Sequence, residues 1–216
     1  MAIDKSYAVF GLGRYGRAVA KELIDSGAEV IAVDSNEKLV EDLVSEFPIC
    51  KCADITDKEV IKQLGISNVD VVVIAIAEAF ESSVMATMLC KEVGVGHVIV
   101  KCSSEMHRAI LEKVGADVVV FPEKDSGIRL AKNLLSSGFL DIADISEDIS
   151  IIELNVKPEW VGKSLREIEF RRKYSVNVIA LTKNKDVEIA IQPDTVIESD
   201  MKMIVIANKK ELSRLK

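Results

Sequence analysis

The residues best suited to chemistry form a glycine-rich turn near the N-terminus, Gly11-Leu12-Gly13-Arg14-Tyr15-Gly16. The turn follows an apolar strand and opens a helix, which is the context in which GxGxxG binds a nucleotide. Gly11 would allow the tight turn, Gly13 would let the backbone approach a pyrophosphate, and Gly16 would let helix and strand pack closely. The free N–H groups at the start of the helix are then expected to face the phosphates.

An acidic residue completes this pattern. Asp34 ends the second predicted strand, at the distance from Gly11 expected of a ribose-binding carboxylate. Such a carboxylate accepts hydrogen bonds from both ribose hydroxyls and repels a 2′-phosphate. The sequence therefore favours an adenine nucleotide or NAD(H) over NADP.

Three further charged residues have two interpretations each. Arg14 lies inside the turn. It is either a solvated residue at the helix start, or its guanidinium group donates several hydrogen bonds to a terminal phosphate. Asp54 follows the third strand and either accepts from the adenine amine or caps the next helix. Lys101 lies at the carboxyl end of a strand, where ligands bind in such sheets, or is structural.

The elements that must position these residues alternate strand with helix over the first two thirds of the chain, which predicts a Rossmann-like, doubly wound parallel sheet of the α/β class. The pattern changes after Pro122. We predict a nucleotide-binding domain over residues 1–138, a linker over 139–147, and a smaller α+β domain over 148–216. In this second domain we expect one helix over Lys163–Tyr174 and a strand over Val187–Ile191.

Composition excludes several classes of protein. The 216 residues carry 28 Lys plus Arg against 35 Asp plus Glu, a net charge of −7, which disfavours nucleic-acid binding. The apolar run Val71–Ala77 is too short to span a bilayer, and the N-terminus lacks the pattern of a secretory signal. The four cysteines lack metal-ligand spacing, so we expect reduced, buried thiols in a cytoplasmic protein.

A catalytic apparatus is not evident. A dehydrogenase generally needs a proton donor near the nicotinamide, and the two histidines, His97 and His107, are placed as structural residues. We therefore predict a ligand sensor that is not an enzyme. The alternatives are an NAD(H)-binding redox sensor and a small NAD-linked oxidoreductase.

The ordered set of segments resembles the KtrA/TrkA-type RCK regulatory subunits of bacterial potassium uptake systems, built from a TrkA-N and a TrkA-C domain. The segments are VFGLGRYGRAVAKEL (9–23), VIAVDSNEKLVEDL (30–43), ADITD (53–57), VDVVVIAI (69–76), FPEKDSG (121–127), VGKSLREIEFRRKYSVNVIAL (161–181) and QPDTVIESDMKMIVIA (192–207). The resemblance implies a cytoplasmic ring of eight subunits, assembled from dimers, on a potassium-conducting membrane subunit of the KtrB/TrkH kind. ATP and ADP would switch the shape of the ring.

The resemblance also implies the ligand residues. For the nucleotide they are Gly11, Gly13, Arg14, Gly16, Asp34, Asn36 and Asp54, with Arg14 meeting the γ-phosphate. Glu123 resembles a carboxylate near the phosphates that helps to hold a divalent or sodium cation between two subunits; alternatively, it is an ordinary acidic residue at a helix start, favoured by the helix dipole. In some members of that family cyclic di-AMP binds at the dimer interface of the second domain. The residues that resemble this site are Arg171, Asn177, Val178 and Pro193; alternatively, all four are simple determinants of the fold. The sequence departs from the family pattern at Ala53, where many relatives have Gly, and at Ser199-Asp200, which replaces Gly-Asp.

Overall fold

The computed structural model describes residues 5–76, 79–135, 139–146, 148–184, 186–208 and 210–211. The chain divides into two compact units, with the division between Lys124 and Asp125. The predicted domain boundary at Gly138 lies outside the described residues, so it stays a prediction. No helix in the described part of the chain is long and apolar enough to cross a bilayer.

The first unit is built on a parallel six-stranded sheet in the order β3-β2-β1-β4-β5-β6. Its strands are β1 Ser6–Phe10, β2 Glu29–Asp34, β3 Cys50–Cys52, β4 Val71–Ile74, β5 His97–Lys101 and β6 Val118–Val120. The helices are α1 Arg14–Asp25, α2 Glu37–Leu43, α3 Lys58–Gln63, α4 Phe80–Glu92, α5 Glu105–Val114 and α6 Pro122–Leu135, the last of which crosses the division between the units. The predicted doubly wound fold is confirmed, with its change of winding direction between β1 and β4.

Apolar side chains on both faces of the strands explain this architecture. In β1, Ala8 and Phe10 belong to one buried cluster while Val9 belongs to another, and all three are fully buried. All four residues of β4 are buried. A sheet covered on both faces in this way favours parallel strands joined by helices.

Short polar side chains cap the N-termini of several helices, because they accept hydrogen bonds from backbone N–H groups that have no partner within the helix. Asn36 accepts from the N–H of Leu39 at the start of α2. At the start of α3 the cap is Asp57 rather than Asp54.

The second unit contains an antiparallel sheet in the order β10-β9-β11-β8-β7. Its strands are β7 Phe139–Asp144, β8 Ile149–Asn155, β9 Asn177–Lys183, β10 Asp186–Glu188 and β11 Met201–Asn208, and two short helices are α7 Leu165–Ile168 and α8 Phe170–Tyr174. The predicted combination of a parallel Rossmann-like unit with a smaller α+β unit is confirmed.

Three predictions for this part of the chain are wrong. Residues 139–144 are not a linker but the strand β7, because their backbone groups pair with the free edge of β8. The helix expected over Lys163–Tyr174 is two helices, because Glu169 adopts a left-handed backbone conformation with φ 56°. The strand expected over Val187–Ile191 is limited to β10, which ends at Glu188.

Aromatic packing and a capping box hold the segment between β8 and β9. Trp160 is buried, with its ring centroid 4.9 Å from that of Phe170 and 5.9 Å from that of Tyr174. Ser164 and Glu167 form a reciprocal capping box at the start of α7. These contacts fix α7 and α8 against the apolar face of the sheet.

The cysteines are free thiols, but they are not all buried as predicted. Cys90 and Cys102 lie in the core of the first unit, whereas Cys52 is exposed at the end of the edge strand β3. Among the described residues β3 pairs with β2 alone, so Cys52 ends the edge strand of this sheet.

Candidate functional site

A cavity of about 800 Å³ lies at the carboxyl ends of the parallel strands in the first unit. The site residues predicted from the sequence that line it are Gly11, Gly13, Arg14, Asp34, Asp54, Lys101 and Glu123. Gly16 and Asn36 are not among its lining residues. Gly16 packs beneath the turn, and the Asn36 side chain caps α2. The ligand roles of all nine residues stay predictions.

The glycine-rich turn has the conformation that its sequence requires. Gly11 adopts a left-handed φ of +88°, which disfavours any residue with a Cβ atom. A Cβ on Gly16 would lie 1.8 Å from the carbonyl oxygen of Gly11, so only glycine permits this close approach. A Cβ on Gly13 would meet no atom within 4 Å, which leaves open space where the turn faces the cavity.

Asp34 is tied to this turn by its carboxylate. Its Oδ2 accepts from the N–H of Leu12 at 2.6 Å, and its Oδ1 accepts from the N–H of Asn36 at 2.9 Å. Each carboxylate oxygen can accept more than one hydrogen bond, so both retain capacity for a ligand hydroxyl. The geometry suits an acceptor for ribose.

Asp54 is held in a tight turn of its own. Its Oδ1 accepts from the hydroxyl of Thr56 at 2.7 Å and from the backbone N–H of Thr56 at 2.9 Å. The hydroxyl and then the backbone hydrogen bond lower the pKa of the Asp54 carboxyl. An ionised acceptor therefore lies at the edge of the cavity formed by β2 and β3.

The opposite edge of the cavity carries cations. Lys101 is the last residue of β5, and its Nζ lies 2.7 Å from Oε1 of Glu123. The same Nζ lies 5.7 Å from the centroid of the Tyr15 ring. The hydrogen bond from Lys101 lowers the pKa of Glu123, and the charge of Arg14 adds a smaller effect in the same direction. The cavity is thus acidic at the edge with Asp34 and Asp54, and it contains the cations of Arg14 in the turn and Lys101 at the opposite edge.

Sequence reasoning missed the rest of the lining. The additional residues are Tyr15, Ala18, Val33, Ser35, Ile55, Thr56, Ala75, Ile76, Ala79 and Ser82. Several of them directly follow β2 and β4, so the rule that ligands bind beyond the carboxyl ends of strands would have found them. Tyr15 carried no signal beyond its place inside the turn.

Neither histidine of the first unit lines this cavity. His107 stacks on Phe80 with 3.9 Å between ring centroids, and its Nδ1 is 3.1 Å from Oγ of Ser103. His97 opens β5, with its Nδ1 3.9 Å from Oδ2 of Asp117. Among the described residues, no cluster of three or more His, Cys, Asp or Glu side chains is arranged to hold a metal ion.

A second cavity, of about 460 Å³, lies in the second unit. It brings together the four residues predicted there, Arg171, Asn177, Val178 and Pro193. Arg171 donates through Nε to Oδ1 of Asn177 at 2.7 Å, which holds the guanidinium in place. The mixed lining of arginines and apolar side chains suits a ligand with both phosphates and flat rings.

Comparisons with known proteins agree with this architecture. The TrkA-N domain matches residues 7–122 and the TrkA-C domain matches residues 149–216. The chain is 35% identical to Ktr system potassium uptake protein C of Bacillus subtilis (strain 168), over 98% of this chain and 96% of that protein. It is 33% identical to Ktr system potassium uptake protein A of the same organism, over 98% of this chain and 95% of that protein.

Solved structures show the same fold. The RCK domain of GsuK superposes with a TM-score of 0.70 and 18% identity, over 100% of this chain and 48% of that chain. The NAD(P)-binding domain of an exopolyphosphatase-related protein from Archaeoglobus fulgidus gives a TM-score of 0.55 and 26% identity, over 61% of this chain and 98% of that chain. With both domain models matched in order and full-length relatives above 30% identity, the chain belongs to the TrkA-N/TrkA-C family of Ktr-type potassium uptake proteins.

Proposed function

We propose that this chain is the cytoplasmic, nucleotide-binding regulatory subunit of a potassium uptake system and that it is not an enzyme. Exchange between bound ATP and bound ADP would switch the regulatory state of the assembled subunits. The observation that carries the proposal is the polarity of the first cavity. Asp34 and Asp54 lie at one edge, Arg14 lies in the turn, and Lys101 lies at the other edge. This order matches adenosine followed by a chain of phosphates.

A triphosphate uses this arrangement more fully than a dinucleotide does. The start of α1 offers backbone N–H groups to the first phosphates. Arg14 at the start of α1 and Lys101 at the end of β5 also line the cavity, and each can bind a terminal, more highly charged phosphate. In NAD the pyrophosphate is internal and is followed by a second ribose. The cation-lined end of the cavity therefore favours ATP.

Switching requires that ATP and ADP stabilise different arrangements of the assembled subunits. A ligand shifts such an equilibrium only by the difference in its affinity for the two states. The γ-phosphate is the group that differs between the two nucleotides, so Arg14 is the residue placed to detect the difference. The assembly would transmit the shift to a potassium-conducting membrane subunit of the KtrB/TrkH kind, on the inner face of the membrane.

A surface of the first unit suits the assembly of an octameric ring from dimers. The neighbouring helices α4 and α5 expose Met85 and Met88 on one and Met106 and Ile110 on the other. The Met106 side chain is 74% exposed. Apolar side chains grouped in this way favour contact with another protein surface. We propose this methionine face as a contact between copies of the chain.

Light scattering tests that contact. Met106→Glu is expected to lower the molar mass of the assembly, because it places a charge in the proposed apolar interface. Val44→Glu is the matched control, since Val44 is also exposed but follows α2. An unchanged mass for Met106→Glu, or an equal loss in both variants, would rule out the methionine face.

The other proposed ligands rest on single features of the structure. Cyclic di-AMP suits the second cavity, since Arg171 can meet a phosphate beside the apolar side chains of Val178 and Pro193. A divalent or sodium cation would use the carboxylate of Glu123, together with ligand oxygens and a second subunit. In a single chain that carboxylate binds Lys101.

The competing proposal is an NAD(H)-binding redox sensor or a small NAD-linked oxidoreductase. It is favoured by the GxGxxG turn with Asp34 and by the likeness to an NAD(P)-binding domain. Titration calorimetry of the purified chain with ATP, ADP, NAD⁺ and NADH separates the two. We expect ATP and ADP to bind more tightly than either dinucleotide. Tight NADH binding with no detectable ATP or ADP binding would overturn our proposal.

A further inference from the structure

Lys101 is a buried cation with an exposed counter-ion. Its side chain is 9% exposed, whereas the side chain of Glu123, which binds it at 2.7 Å, is 63% exposed. A buried ammonium group is stabilised by an anion that contacts it, whether this is a carboxylate or a phosphate. Lys101 therefore favours an anionic partner, whereas the exposed Glu123 can exchange Lys101 for water at little cost.

The position of the Lys101 ammonium group brings it within reach of a ligand. Lys101 ends β5, two strands from the glycine-rich turn, a separation of about 10 Å at the usual strand spacing. Its Nζ nevertheless lies 5.7 Å from the ring centroid of Tyr15, which belongs to the first turn of α1. The aromatic face holds the ammonium group toward the phosphate end of the cavity.

Glu123 is the acceptor that contacts the Lys101 ammonium group within the cavity. Both Lys101 and Glu123 line the cavity, and the hydrogen bond from Lys101 lowers the pKa of Glu123, so the carboxylate is ionised at neutral pH. An incoming phosphate and this carboxylate then compete for one ammonium group.

We propose that Glu123 is an internal competitor of the nucleotide's terminal phosphate, and that binding of a triphosphate transfers Lys101 from Glu123 to that phosphate. The inference rests on the proposed nucleotide site and adds a counter-ion exchange to it. A terminal phosphate carries close to two negative charges and replaces the single charge of Glu123 favourably. The internal phosphates of NAD carry one charge each and gain less from the exchange. Glu123 thus lowers the affinity mainly for ligands whose terminal phosphate takes Lys101, and it hardly changes the affinity for NAD.

A double-mutant cycle tests the exchange. The affinities of wild type, Glu123→Gln, Lys101→Met and the double variant are measured by calorimetry with ATP, ADP and NAD⁺, in EDTA to exclude divalent cations. Glu123→Gln should tighten ATP binding about fivefold and NAD⁺ binding less than twofold. In the Lys101→Met background, Glu123→Gln should have no further effect on ATP affinity.

Two controls separate exchange from other effects. Glu105→Gln removes a neighbouring carboxylate that pairs with Lys124 and does not line the cavity, so it reports the general effect of lost negative charge. Lys101→Gln replaces Lys101→Met if ligand-free melting shows that the methionine variant is unfolded. Three results would each overturn the exchange. The first is that Glu105→Gln tightens ATP binding as much as Glu123→Gln does; the second is that Glu123→Gln still tightens ATP binding when Lys101 is replaced. The third is weaker ATP binding in Glu123→Gln than in wild type. If none of the variants binds any nucleotide, the proposed function itself fails.

Discussion

The carboxylate of Asp34 accepts the backbone N–H of Leu12 at 2.6 Å, and this contact joins the end of β2 to the glycine-rich turn after β1. The same side chain accepts the N–H of Asn36 through its other oxygen. Asp34 therefore shapes the turn as well as offering oxygens to a ribose.

Removing this carboxylate should affect both stability and binding. We expect Asp34→Ala to lower the free energy of unfolding by about 1–3 kcal/mol, because two backbone N–H groups lose their acceptor. The rise in melting temperature caused by ATP should also disappear. Urea unfolding followed by circular dichroism measures the first effect. Asp42→Ala, an exposed acidic residue of α2, is the control, and equal behaviour of the two variants would contradict the prediction.

Gly13 and Gly16 should respond differently to the same substitution. Gly16→Ala is expected to destabilise the first unit, because its Cβ would lie 1.8 Å from the Gly11 oxygen and 2.9 Å from the Ala75 Cβ. Gly13→Ala should remain folded, with an unchanged ligand-free melting temperature, but should lose ATP binding because the new methyl group faces the cavity. Melting and calorimetry on both variants test the pair. A Gly13→Ala variant that binds ATP normally would show that the phosphates do not approach this position.

Arg14 should govern discrimination between ATP and ADP. Arg14→Ala is expected to leave the ligand-free stability within about 0.5 kcal/mol of wild type, as is usual for an exposed residue. The difference in melting shift between ATP and ADP should shrink to near zero. Arg17→Ala serves as the control, because Arg17 lies on the same helix but pairs with Glu46 at 2.5 Å instead of lining the cavity. Retained discrimination in Arg14→Ala would exclude a γ-phosphate role.

Replacing Arg171 in the second cavity should specifically weaken the binding of cyclic di-AMP. Arg171→Ala removes a guanidinium that Asn177 holds in place, so we expect the affinity to fall at least tenfold, the usual range for a charge-assisted hydrogen bond. Lys173→Ala is the matched control on α8, since Lys173 is exposed and does not line the cavity. Calorimetry with cyclic di-AMP measures both. Equal affinity in all three proteins would place any such ligand elsewhere.

The capping box makes the second unit sensitive to acid. The backbone N–H of Ser164, and then its hydroxyl, donate to Oε2 of Glu167 and lower the pKa of that carboxyl below its usual value of 4.5. The pKa of Glu167 is lower in the folded protein than in the unfolded chain. The hydrogen bonds therefore stabilise the fold fully at pH values above the unfolded-state pKa, and this stabilisation is lost as the pH falls through the folded-state pKa. Melting temperatures from about pH 6 to pH 3 should therefore fall less steeply in Glu167→Gln than in wild type. Parallel curves would show that the box does not contribute.

The parts of the fold that sequence predicted are those governed by local pattern. Buried apolar runs such as Val71–Ile74 depend on neighbours in the chain, and this run was found in place. The glycine-rich turn was also predictable, since only glycine suits the left-handed conformation at Gly11 and the close approach of backbone at Gly16.

The remaining features depend on contacts between distant parts of the chain. The strand β7 forms because it pairs with β8, and its own residues carry no clear alternation. Glu169 ends α7 in a left-handed conformation that favours glycine, so nothing in its residue type predicted the break. Lys101 and Glu123 were each suspected, but their ion pair requires β5 and the start of α6 to meet.

The single tryptophan of the chain makes the two units distinguishable in solution. Trp160 lies in the aromatic cluster of the second unit, so the intrinsic indole emission of the whole protein originates there. ATP bound at the glycine-rich turn has no tryptophan in its own unit to perturb. A change in emission on adding ATP would therefore report a change around Trp160 in the second unit, without a label and in the unmodified chain.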